Sequence, residues 1–145
     1  MPQQDPDLVD GLYQLTFLLH GRLSRIAAGH DLSVIQVRLL GILRDREPGM
    51  LELARHLELE KSSLSGLVDR AQERGLVERI PSPSDGRGTL VRVTAQGRKL
   101  SRAVGSAVTA EVEALVRHLP ASDRKRLASL AARVVQGTGA LGGPA

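Results

Sequence analysis

The chain has 145 residues, 41% of them hydrophobic, and a formal net charge of +4. That length supports one cored domain with helical extensions. The absence of cysteine excludes disulfides, thiolate metal sites and cysteine redox sensing together, and with Tyr13 and Phe17 as the only aromatics the core must be built from Leu, Val, Ile and Ala. No run of 18 apolar residues occurs, and the opening MPQQDPD has no basic region. Neither a membrane span nor a secretory signal is expected, which makes the cytoplasm the expected compartment.

Met1–Gln4 reads as a frayed tail. Asp5 is placed to cap a helix, with Pro6 at its first position and Asp7 against the positive end of its dipole. Leu8, Leu12, Leu15, Leu19, Leu23 and Ile26 then recur at spacings of three and four over about five turns. A stripe that long is hard to cover within a small monomer and predicts a second subunit. Gly29-His30-Asp31 is read as the stop. Ser33 and Gln36 have capping-box spacing and open a helix through about Arg46. Ile35, Leu39, Ile42 and Leu43 line one side of it and Val34, Val37 and Leu40 another, so this helix is expected to be central and buried. Pro48-Gly49 breaks it.

The stretch Leu51–Thr94 is the part around which the rest is arranged. Leu53, Ala54 and Leu57 share one face of a short helix, and after a brief turn Lys61–Arg74 forms a second. Its Leu64, Leu67, Val68 and Ala71 fall at i, i+3, i+4 and i+7, a buried stripe. The opposite side carries Ser62, Ser65, Gly66, Asp69 and Arg70, with Lys61 near the edge. A helix that is apolar behind and short-chained in front suits a DNA major groove, where base edges must be approached closely. Gly75 stops the helix. Two β-rich runs, Leu76–Ile80 and Leu90–Thr94, follow, joined by the loop Pro81–Thr89. Helix, turn, helix and hairpin make a winged helix. Lys61–Lys99 holds eight Lys/Arg against four Asp/Glu, so the whole net charge lies on the reading element, as binding to a polyanion requires. Winged helices also serve as protein-interaction modules that bind no DNA, and that is the alternative.

Thr94 can cap the next helix, from about Ala95 to His118, with Leu100, Val104, Ala107 or Val108, Val112, Leu115 and Leu119 as its stripe. Pro120 forces a break. Ser122 or Asp123 restarts a helix lined by Leu127, Leu130, Ala131 and Val134, and the Gly-rich residues Gly137–Ala145 are expected to be a disordered tail. The fold class is therefore mainly α with a small β-hairpin wing. Residues 1–31 form an N-terminal dimerisation helix, 32–97 the winged helix-turn-helix, 98–136 the C-terminal dimerisation helices and 137–145 the tail. A two-fold pairing of the ends would set two recognition helices one DNA turn apart on a pseudo-palindrome.

Enzymatic constellations are missing. His20, His30, His56 and His118 show no ligand spacing, and Glu111 with His118, two turns apart, is too thin for a metal site. Gly86-Arg87-Gly88 lacks the strand-to-helix setting of a phosphate loop, and no Ser-x-x-Lys or Gly-x-Ser-x-Gly surrounds the serines. No catalytic residue, metal or cofactor is expected. Ser62, Ser63 and Ser65, with Lys61 and Arg70, are instead read as contacts to phosphates and base edges. Arg87, near the hairpin tip, is placed for an adjacent minor groove. The plainer alternative is an Asx-type turn at Asp85 with Arg87 solvated.

The run LARHLELEKSSLSGLVDRAQERGLVERIPSPSDGRGTLVRVTAQG resembles the MarR family of bacterial regulators. The shared features are a recognition helix ending at Gly75, the strand Leu76-Val77-Glu78-Arg79, the wing Asp85-Gly86-Arg87 and the exit Val93-Thr94-Ala95-Gln96-Gly97; Leu32-Ser33-Val34-Ile35-Gln36 also looks like the family's entry to its second helix. The resemblance implies a homodimeric regulator of double-stranded DNA, usually a repressor, whose affinity often responds to small molecules or oxidants. It also implies that Asp85 fixes the wing and its arginine through ion pairing. Met50, Glu58 and Gly66 depart from it: the family more often has a capping Ser or Thr at the first and glycine at the second, and an interior helical glycine costs about 1 kcal/mol. A small-molecule effector pocket is expected where the first, second and fifth helices meet the winged helix. Tyr13, Phe17, His20 and Arg38 are its candidate lining, and core packing with solvated charge is the simpler reading of the same residues.

Overall fold

The computed structural model describes residues 3–84 and 88–139. The elements run α1 (Pro6–Gly29), α2 (Val34–Leu43), α3 (Met50–Leu57), α4 (Lys61–Glu73), β1 (Val77–Pro81), β2 (Thr89–Val93), α5 (Ala95–Val116) and α6 (Ala121–Gly137). Helix starts follow the chemistry of their first residues. The Asp5 side chain accepts the Leu8 amide with Pro6 at N1, Ser33 and Gln36 close a reciprocal capping box, and Thr94 accepts the Gly97 amide.

Three helix ends share one motif. At each, a left-handed residue turns the chain so that the next amide reaches back to the helix. For α4 the amides of Gly75 and Leu76 bond the carbonyls of Gln72 and Ala71 at 2.9 and 3.0 Å. For α3 those of Glu58 and Leu59 bond Arg55 and Ala54, and for α1 those of Asp31 and Leu32 bond Ala28 and Ala27. The left-handed residues are Gly75 (φ 75°), Glu58 (φ 53°) and Asp31 (φ 55°). The expected stop Gly29-His30-Asp31 stands where the helix ends. Gly29 is the last helical residue, and Asp31, whose short side chain tolerates this conformation, makes the turn.

Other boundaries shift for identifiable reasons. α2 ends at Leu43 rather than Arg46 because the chain extends to bring Pro48-Gly49 against the hairpin: Pro48 accepts the Val91 amide at 2.9 Å and Gly49 bridges Leu90. β1 and β2 pair antiparallel from Val77↔Val93 to Pro81↔Thr89. Both strands begin and end one residue away from expectation, since Leu76 completes the helix stop and Thr94 serves as the cap of α5. α5 ends at Val116 rather than His118, and α6 starts directly after Pro120, whose carbonyl accepts the amides of Asp123 and Arg124.

The core joins Ala27 of α1, Leu39, Leu40 and Leu43 of α2, Leu53 and Leu57 of α3, Leu64, Leu67, Val68 and Ala71 of α4, Val77 and Val91 of the hairpin and Val104 of α5. It holds no aromatic side chain, and α2 packs at its centre against α1, α3, α5 and β2. Tyr13 and Phe17, whose simpler reading was core packing, are 64% and 72% exposed in the single chain. Leu8 and Leu12 are also uncovered, and no residue of α6 is buried. Gly137 closes α6, and residues 140–145 of the expected tail lie outside the described residues. Among the described residues no single helix is long and apolar enough to cross a membrane.

Candidate nucleic-acid interface

α4 is held by its C-terminal end. The Thr94 hydroxyl donates to the Gly75 carbonyl at 2.6 Å and accepts the Gly97 amide at 3.0 Å, while the Thr94 amide donates to the Leu76 carbonyl at 3.0 Å. Gly97 packs against the same peptide. A Cβ there would lie 2.0 Å from the Leu76 carbonyl oxygen, so α5 can approach α4 this closely only with glycine. On the other side of the helix end, Arg74 donates through Nη1 to the Asp31 carbonyl at 2.6 Å.

Along α4 the apolar stripe is buried as expected, and Lys61, Ser62, Ser63 and Arg70 are exposed. Ser65 and Gly66 are half-buried. A Cβ on Gly66 would meet the Arg70 guanidinium at 3.1 Å, so this glycine leaves room for the arginine to fold back along the helix face. The N-cap Glu60 makes no side-chain bond, which leaves the first-turn amides open to an acceptor such as a phosphate. Asp85 and Arg87 lie outside the described residues.

Much of the basic charge is already engaged. Arg79 pairs with Asp69 at 2.7 Å and donates to Gln72 at 2.8 Å, tying the wing to α4. Arg92 pairs with its cross-strand partner Glu78, and Arg98 donates to the Arg44 carbonyl at 3.1 Å. Among the described residues of Lys61–Lys99, Lys61, Arg70 and Lys99 make no ion pair or side-chain hydrogen bond. Counting charges along the sequence therefore overstates the positive surface left for a ligand.

The effector candidates do not come together. Tyr13, Phe17 and His20 are exposed on α1, and Arg38 donates to the His56 carbonyl at 2.8 Å, bracing the C-terminal end of α3. An open cleft of about 970 Å³ lies instead between α2 and α5, reached by Leu23 of α1 and Val93 of β2. Val37, Leu40, Val104 and Val108 give it apolar walls, and Arg44, Arg98 and Arg102 outnumber Glu113 among its charged residues, with Arg44 paired to Asp45 at 2.9 Å. The expected meeting place of helices thus holds a cavity with a different lining. Stripe arguments find faces, whereas a cleft arises where two faces fail to close. Glu111, considered with His118, pairs with Arg22 at 3.3 Å.

The MarR family model matches residues 30–88, from the end of α1 to the start of β2. Over 84 residues the chain is 38% identical to the HTH-type transcriptional repressor IacR of Pseudomonas putida, covering 54% of this chain and 50% of that protein. Over 91 residues it is 34% identical to the transcriptional activatory protein BadR of Rhodopseudomonas palustris, covering 60% and 52%. The chain thus spans about half the length of these curated relatives. The crystal structure of NadR in complex with 4-hydroxyphenylacetate superposes with a TM-score of 0.75 at 26% identity, covering 92% of this chain and 97% of that one. The chain is thus similar to the MarR family through its winged-helix segment.

Its fold is the MarR winged helix, and the geometry gives the family-like residues their reasons. Gly75 is the left-handed residue of a helix stop, Thr94 bonds both sides of the α4–α5 junction and Gly97 is the point of closest approach. The departures are equally legible. Glu58 occupies a left-handed position that suits glycine, and α3 starts at Met50 behind Gly49 without a side-chain cap.

Proposed function

We propose that this chain is a regulator of the MarR family, a homodimeric, DNA-binding transcription regulator that acts as a repressor on a pseudo-palindromic operator. The observation that carries this reading is the outer face of α4. Its Lys61, Ser62, Ser63 and Arg70 stand exposed and unpaired on a helix anchored from behind by four buried apolar side chains. Ser65 belongs to the same reading surface, and Arg87, with Asp85 positioning it, is assigned to the minor groove. The uncovered apolar side chains of α1 and α6 support pairing with a second copy. The α2–α5 cleft supports release by a small effector. Its arginines and apolar walls suit an anionic, partly apolar molecule, the character of the 4-hydroxyphenylacetate bound by NadR.

Titration of duplex DNA by fluorescence anisotropy at several salt concentrations tests the reading. Binding is expected to weaken linearly in log–log form with salt, and Lys61→Ala or Arg70→Ala should each make the slope shallower by about one ion. Failure of the folded protein to bind any duplex at low micromolar concentration and low salt would favour the protein-interaction module instead.

A further inference from the structure

We propose that Arg74 is a positioning residue for DNA recognition, acting without touching DNA. The proposal rests on the DNA-binding reading above. Arg74 caps the C-terminal end of α4, and its guanidinium bonds the Asp31 carbonyl at 2.6 Å, with a second nitrogen 3.5 Å from the His30 carbonyl. Those carbonyls belong to the turn that ends α1, where the helix dipole is negative and a cation is favoured. The α5 side is tied at the same place. Thr94 bonds the Gly75 carbonyl at 2.6 Å, and the Gln96 amide nitrogen lies 3.5 Å from the Arg74 carbonyl. The end of α4 is thus a joint clamped between the end of α1 and the start of α5.

The other end of α4 has no side-chain cap. Thirteen residues at 1.5 Å rise make a lever of roughly 20 Å from joint to tip. A rotation of a few degrees at the joint, taken up by small shifts in the packing of Leu64, Leu67, Val68 and Ala71, moves Lys61–Ser65 by about an ångström, which is enough to spoil hydrogen bonds to base edges. Phosphate attraction, being long-ranged, survives the same displacement. Arg74 therefore controls discrimination among sequences and leaves the electrostatic part of binding intact.

The test uses the full chain and a duplex that the wild-type protein enriches from randomised DNA, with a scrambled duplex as control. Arg74→Ala is expected to bind the enriched duplex about tenfold more weakly, the size of one poorly made base contact. Its affinity for the scrambled duplex and its salt slope should be those of the wild type, with helical circular dichroism retained. Unchanged affinity for the enriched duplex in a folded Arg74→Ala protein overturns the proposal. So does a salt slope shallower by about one ion, which would make Arg74 a direct phosphate contact. If Arg74→Ala does not fold, Arg74→Lys decides. It keeps the charge but lacks the planar fork, and is expected to lose discrimination at an unchanged slope; wild-type discrimination from it overturns the joint. If the wild type binds no duplex and enriches none, the DNA-binding reading fails, and this proposal fails with it. Enrichment by the wild type and the loss of its preference in the variant are read separately.

Discussion

At the scale of single residues, two positions at the end of α3 make opposite statements about stability. Glu58 holds a left-handed backbone at φ 53° and forms the helix stop with amide bonds that need no side chain. Glycine would relieve that conformation while adding freedom to the unfolded chain, so Glu58→Gly is expected to stabilise by about 0.5–1 kcal/mol. Urea denaturation would read this as a higher midpoint at unchanged slope. His56 is held below the ordinary imidazole pKa of about 6.5 by burial. Glu52, 3.7 Å away, opposes the shift, while Arg46, Arg55 and Arg38 add to it. The unfolded chain therefore takes up this proton first as pH falls. Stability is complete above about 6.5 and declines as pH drops from there through the lowered folded value. His56→Gln should remove that step, so the stability difference between variant and wild type should move in the variant's favour on acidification. Parallel pH–stability curves for the two proteins would rule out His56 as the cause.

At the scale of elements, α4 shows how much a helix depends on what lies behind it. Its buried stripe was legible from spacing, because Leu64, Leu67, Val68 and Ala71 can share a face only on a helix. Its outward chemistry was legible only in part. Asp69 and Arg70 are neighbours on the same face, yet Asp69 is paired with Arg79 of the wing, while Arg70 folds over Gly66 and stays unpaired. Gly66→Ala separates the two properties. It should gain up to about 1 kcal/mol of helix stability while pushing the Arg70 guanidinium from its place. A thermal melt and a duplex titration of the same variant measure both. Higher stability with wild-type DNA affinity would show that the resting place of Arg70 is immaterial to binding.

At the scale of the whole molecule, the two ends are unlike the middle. The winged helix closes its core with Ala27 of α1 and Val104 of α5, whereas Leu8, Leu12, Tyr13 and Phe17 of α1 and Leu127, Leu130 and Val134 of α6 remain exposed in the single chain. Patches of this kind mark interaction surfaces in stable proteins. Sedimentation is expected to give a dimer, and deletion of the residues before Gly29 should leave an unfolded or aggregated chain, since Ala27 and Ile26 also pack on the core. A soluble, folded monomer from that truncation would end the argument for pairing through the terminal helices.

Local chemistry determined much of this protein. Capping at Asp5, Ser33 and Thr94 and the stop at Gly75 are short-range consequences of residue type and stand where the spacing places them, and the hairpin lies within one residue of its expected bounds. Tertiary structure decided what depends on distant partners. Within the stop Gly29-His30-Asp31 it is Asp31 that turns the chain, and α2 stops early because Pro48-Gly49 is recruited to the hairpin. The cleft opened along α2 and α5 away from the proposed aromatic lining, and Arg74, Arg79, Arg92 and Arg98 found acceptors far along the chain. Periodicity reports which face a residue occupies. Only packing decides which carbonyl or carboxylate comes within 3 Å of a guanidinium, and so which charges are left for DNA.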